Sequence, residues 1–198
     1  MKQPRMASIA PVTRRLAAIA GICLLAGGAH AQLQGENLLQ PMPAGYRIAF
    51  QDRQGGIVTT EMVPEKESSE EWTEMLTTQL YIGLKSVSPA QFRAESQRKW
   101  LEACKEGSYR EVAEGDEKGY PVAVWLLSCP YSRAPGRPEM SWFKAIRGND
   151  AFYVVQKSFR FEPSGEQAAL WMRYLRELSV CDTRLPDRPC PKVTPPES

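Results

Sequence analysis

Residues 120–129 read YPVAVWLLSC, and residues 141–161 read SWFKAIRGNDAFYVVQKSFRF. The first is a largely apolar run closed by Pro130, as expected of a strand buried on both faces. In the second, two runs rich in aromatic and β-branched residues flank Gly148-Asn149-Asp150, which predicts a hairpin. Trp142 and Phe143 are neighbours on one strand, so they face opposite sides. One of them therefore lies away from the core or under helices of a second layer. These stretches predict a mostly antiparallel sheet with 120–129 as its central strand.

Working outward, residues 108–113 read as a strand that reaches 120–129 through the turn Glu114 to Gly119. Ser88 caps a preceding helix, with Pro89 at its first position and Gln91 closing the capping box. Phe92, Trp100 and Cys104 share its inner face, and Gly107 ends it. On the other side, Ser164 to Gln167 is a second capping box, and Trp171, Leu175 and Leu178 line the helix it opens. Towards the N-terminus, Tyr46 to Phe50 alternates like a half-buried strand, and Ile57 to Val63 returns as its hairpin partner. Ser68-Ser69-Glu70-Glu71 has capping-box spacing, and Trp72, Met75, Leu76, Leu80 and Leu84 follow at intervals of three or four. That spacing predicts another amphipathic helix. The expected order is β-β-α-α-β-β-β-β-α, an α+β fold in a single domain over residues 32–185 with helices packed on the sheet. From Pro186 onward five of thirteen residues are proline, which predicts a flexible tail over 186–198.

The first 31 residues read as an address. Lys2, Arg5, Arg14 and Arg15 precede the apolar run LAAIAGICLLAGGA, which ends in Ala29-His30-Ala31. This pattern predicts a general secretory signal cleaved after Ala31 and no membrane insertion thereafter. The run is shorter than the roughly 20 apolar residues that a membrane helix needs. The signal takes four of the 25 basic residues and none of the 23 acidic ones. The remaining chain thus has a formal charge of −2, which does not suit a nucleic-acid binder. Four cysteines remain, an even number for an oxidising compartment, periplasmic or secreted. Cys181 and Cys190 share a short segment after the last helix, which predicts that they pair and leaves Cys104 to Cys129. Their spacing does not suit a zinc site.

An opening hairpin, a helix, an antiparallel run and a closing helix resemble the layout of the Mog1/PsbP-like sandwich. Residues 45–83, GYRIAFQDRQGGIVTTEMVPEKESSEEWTEMLTTQLYIG, are also similar to uncharacterised exported proteins of proteobacteria. The first resemblance implies a role in binding or adapting other proteins, and neither carries over a functional residue.

The expected chemistry is defined mainly by what is missing. His30 is the only histidine and leaves with the signal. Serine and cysteine triads, histidine proton shuttles and His-ligated metals therefore leave with it. Neither phosphate-loop pattern occurs, and no cofactor is expected. Asp52, Asp116 and Asp150 sit in turns, Asp182 follows the last helix and Asp187 lies in the tail. Glu65, Glu67, Glu70, Glu71 and Glu74 crowd the start of the expected helix, where they suit its dipole. A carboxylate-dependent hydrolase needs two converging acids, and Glu61 is the first candidate. Ser96-Gln97-Arg98-Lys99 matches a Ser-x-x-Lys nucleophile pattern without its companion elements.

Trp72, Trp100, Trp125, Trp142 and Trp171 read first as core. Trp142, Lys144 and Arg147, with Arg133 and Arg137 nearby, form the candidate contact surface, because aromatic residues and arginine are enriched at binding hot spots. The expected function is an exported non-catalytic interaction module whose partner is another envelope protein. A small carboxylate hydrolase and a carrier of a small apolar ligand are the alternatives.

Overall fold

A computed structural model describes residues 34–131 and 137–192. The expected signal, Arg133 and the last six residues of the tail lie outside them. In order, the elements are β1 (Glu36–Leu39), β2 (Tyr46–Gln54), β3 (Ile57–Pro64), β4 (Glu74–Ile82), α1 (Pro89–Ala103), β5 (Ser108–Glu117), β6 (Tyr120–Cys129), β7 (Glu139–Arg147), β8 (Ala151–Phe159), α2 (Gly165–Glu177) and β9 (Ser179–Asp182). Seven strands form one antiparallel sheet in the order β2-β3-β4-β8-β7-β6-β5, and β1 pairs with β9 in a separate ribbon. The α+β class and the antiparallel sheet are as expected. The element order is not.

The largest correction falls on residues 68–84, where a strand replaces the expected helix. Ser68 does act as a cap, its hydroxyl accepting from the amides of Glu70 and Glu71. The chain then turns away, because the Glu67 carboxylate takes the Thr73 amide at 2.7 Å. β4 next pairs with β3 on one side and β8 on the other. Met75 and Leu76 are both buried although they point to opposite faces. Burial on both faces hides the period of two, and the apolar residues left over mimic helical spacing.

Three smaller corrections follow. The middle strand is β8, and β6 is one from the edge; β6 reads as central because layers cover both its faces. Tight turns at Gly55-Gly56 and Lys118-Gly119, all at positive φ, let β2 and β5 run several residues past their expected ends. Finally, residues 186–190 turn back onto the domain. The Asp182 amide donates to the Arg188 carbonyl, the Arg188 guanidinium lies 4.4 Å from the Tyr120 ring centroid, and Cys190 bonds to Cys181.

Each face of the sheet carries its own core. On one, Trp125, Phe143 and Phe152 are buried against Phe92 and Trp100 of α1. The second disulfide, Cys104 to Cys129, ties the end of α1 to the end of β6. Gly107 sits in that corner, where a Cβ would lie 2.8 Å from the Cys104 carbonyl oxygen. On the other face, Leu76, Trp142, Val155 and Phe159 pack against Trp171, Leu175 and Leu178. Both capping boxes, at Ser88 and Ser164, form as expected. The two disulfides fit an extracellular or periplasmic protein. Among the described residues, no helix is long and apolar enough to cross a membrane.

Candidate functional site

Tyr153, Val155, Lys157 and Phe159 share one face of β8, so strand geometry alone carries a lysine under α2. Its cross-strand partners are Leu76 on one side and Trp142 on the other. Lys157 is wholly buried. Its Nζ donates to Glu74 Oε2 at 2.7 Å and to the Tyr46 hydroxyl at 2.6 Å, and Tyr46 donates to the same carboxylate oxygen at 2.6 Å. The ammonium also lies 4.0 Å from the Trp171 ring centroid, 4.4 Å from Phe159 and 4.8 Å from Tyr46. Three rings and a carboxylate make an aromatic cage, occupied by the chain's own cation.

The electrostatics follow from this placement. Burial pulls the Lys157 ammonium down to about 8, although the hydrogen bond and charge of Glu74 hold it up. Burial, then the Glu74 contact, pushes the Tyr46 phenol well above its ordinary range. The cluster is costly to desolvate and stands because each charge has a partner.

Beside the cage lies an open cleft of about 470 Å³ between residues 43–46, the ends of β3 and β4, and α2. Its wall is a ladder of edge-to-face rings, with Tyr46 and Trp171 centroids 5.4 Å apart and Trp171 and Tyr174 centroids 5.2 Å apart. Pro43, Ala44, Pro64 and Leu170 complete the apolar lining, and Glu74 and Gln167 are the polar side chains. The Tyr174 hydroxyl donates to the Pro41 carbonyl at 2.7 Å, which ties the lead-in against the helix. Leu170 is 54% exposed, and Met42, beside the lining residue Pro43, is 49% exposed.

The contact surface expected from the sequence is not a surface. Trp142 and Phe143 do face opposite sides, but layers cover both, and Trp142 is buried against Phe159. Lys144 is also buried, donating to Glu117 Oε2 at 2.6 Å and to the Leu178 carbonyl at the end of α2 at 2.8 Å. Arg147 falls on the α1 face, opposite to them, so the three residues do not converge. Arg137 is exposed and lines a separate depression with Trp72 and Arg160.

Glu61 stands on β3 facing away from α2, and burial and then Glu70 raise its carboxyl. Glu139, raised mainly by burial, shares that face but lies three strands across. At about 4.8 Å per strand this is roughly 14 Å, beyond the roughly 9.5 Å that a carboxylate pair can span. Ser96 donates to the Phe92 carbonyl of its own helix at 2.8 Å, and Lys99 pairs outward with Glu95. Asp182 is buried in β9 and takes Arg184. Among the described residues, no group of three or more metal-ligating side chains comes together.

A lysine in phase with Tyr153, Val155 and Phe159 was the available signal for the cage. Nothing in the sequence announced that Tyr46 and Glu74 would meet it, since they lie 111 and 83 positions away. No protein-family model matches the chain, and no curated protein matches it in sequence.

Proposed function

We propose that this protein is an exported, non-catalytic binding module that captures a segment of another envelope protein in the Tyr46–Trp171–Tyr174 cleft. The observation that carries this reading is an open apolar cleft walled by three aromatic rings and lined by exposed Leu170, with exposed Met42 adjoining the lining residue Pro43. An open cleft would leave a carried apolar molecule half in water, whereas a side chain projecting from a protein surface closes it. On this reading the mature chain begins at Gln32 and works in the periplasm.

Site-specific photo-crosslinking tests the proposal. A benzophenone side chain replaces Leu170 or Met42 in the exported protein, with the exposed positions Val112 and Tyr131 as controls. Discrete adducts from the two cleft positions, and none from the controls, are expected. Adducts confined to the control positions, or absent throughout, overturn it.

A further inference from the structure

Glu74 is a polar group of the cleft whose bonding is incomplete. Both short contacts to Glu74 fall on Oε2. Oε1 receives no hydrogen bond among the described residues, and it is not one of the buried polar atoms sealed from solvent. Glu74 lines the cleft with its side chain 19% exposed. A carboxylate oxygen without a donor among the described residues therefore stands in a setting that is aromatic and apolar apart from Gln167.

Its charge is already answered. Lys157 lies 2.7 Å from the same carboxylate. A second ammonium at Oε1 would sit one carboxyl group away from the first, where poor screening makes like charges costly. A ligand carboxylate would meet Glu74 itself. What fits is an uncharged donor, and the walls require an apolar, preferably aromatic, body behind it. Indole and phenol side chains have that form, and tryptophan and tyrosine are also enriched among interface anchors. About 470 Å³ is room enough for one such side chain.

Resting on the binding role proposed above, we infer that the cleft receives one tryptophan or tyrosine side chain of the partner. Tyr46, Trp171 and Tyr174 pack against its ring, and Glu74 Oε1 accepts its N–H or O–H.

Small probes test this without the partner. Indole, 1-methylindole, tryptamine and indole-3-acetate are titrated into the mature protein, with the side-chain signals of Trp171 and Gln167 followed by NMR. Indole is expected to shift both signals. Loss of one hydrogen bond to a charged acceptor should make 1-methylindole bind about tenfold more weakly. Neither charged analogue should bind more tightly than indole. Leu170→Trp fills the mouth from an exposed position and should abolish the shifts while leaving the rest of the spectrum in place. Equal binding of indole and 1-methylindole, or tighter binding of tryptamine, overturns the inference even where crosslinks at residue 170 persist. Retained indole selectivity without crosslinks at residues 42 and 170 overturns the partner-capture role and leaves the cleft chemistry standing.

Discussion

The sheet is covered on both faces by a helix with a capping box, yet the two interfaces are built from different materials. Under α1 the strands contribute Trp125, Phe143, Phe152 and Val154, and a disulfide closes the end. Trp125 stacks on Phe143 with centroids 5.0 Å apart. Under α2 the strands contribute two buried lysines, Lys144 and Lys157, and the helix stands off far enough to leave a cleft. A face that only stabilises is best filled with hydrocarbon, because each buried charge must be matched. Both of these buried charges lie on the α2 face, and Lys157 among them stands beside the open aromatic cleft of the proposed site.

The largest effects should come from breaking the α1 face. Trp125→Ala should lower stability by about 3–5 kcal/mol, read from urea unfolding. Trp171→Ala should cost less, because Trp171 keeps 5% of its surface at the wall of an open cleft whereas Trp125 is fully enclosed. Equal losses would show that the α2 interface is as closed as its counterpart. Replacing Cys104 and Cys129 together by serine should cost about 3 kcal/mol and loosen the α1 end first, which hydrogen exchange at residues 100–107 would report.

Next in size is the pH response of the α2 face. The folded-state pKa of Lys157, about 8, lies below the unfolded value near 10.5. Between these values the unfolded chain holds the extra proton, so stability must rise with pH. The penalty for the buried charge is present in full below pH 8. Above about pH 10 the raised Tyr46 phenol works in the opposite direction, because only the unfolded chain then ionises it. Stability of the wild type relative to Lys157→Met should therefore climb by about 2 kcal/mol from pH 8 to 10, at roughly 1.4 kcal/mol per unit. At pH 7 the methionine variant should be less stable than wild type, because removing the ammonium leaves the largely buried Glu74 carboxylate without its countercharge. A flat difference between the two proteins across this range would mean that Lys157 titrates normally and that the cage imposes no strain on its charge.

How far the sequence showed this contrast depends on the element. The 141–161 hairpin was legible because its turn and its apolar phase agree, and both helix caps were legible because their signals are local. Residues 68–84 were not, since a turn capped by Ser68 and a strand buried on both faces together imitate an amphipathic helix. Thr73, Thr77, Thr78, Tyr81 and Ile82 were the contrary evidence, being residues that favour a pleated, packed surface. The site fared worse. Trp142 and Lys144 have the composition of a contact patch, but composition does not show that a second layer covers both faces of a strand. The cage needs four segments to meet, β2, β4, β8 and α2, and such a convergence is set by sheet order and helix placement, which no local pattern encodes.

The smallest expected effects come from the caps, and they test whether the two helices are equally bound to their faces. Ser88 and Ser164 make the same pair of hydrogen bonds at their helix starts, so alanine at either should cost about 1 kcal/mol. The route of the loss should differ. α1 buries only Pro89 completely and is held at its far end by the Cys104–Cys129 bond. Ser88→Ala should therefore fray residues 89–93 locally, with faster amide exchange there and little change in the unfolding midpoint. α2 buries Trp171 and Leu175 within the core it shares with Leu76 and Phe159. Its first turn leads directly into Gln167, Leu170 and Trp171, the helix side of the cleft. Ser164→Ala should accordingly move the global midpoint by several degrees and weaken indole binding in the same variant. Local fraying of both helices, with indole binding unchanged, would show that α2 rests on its face as loosely as α1.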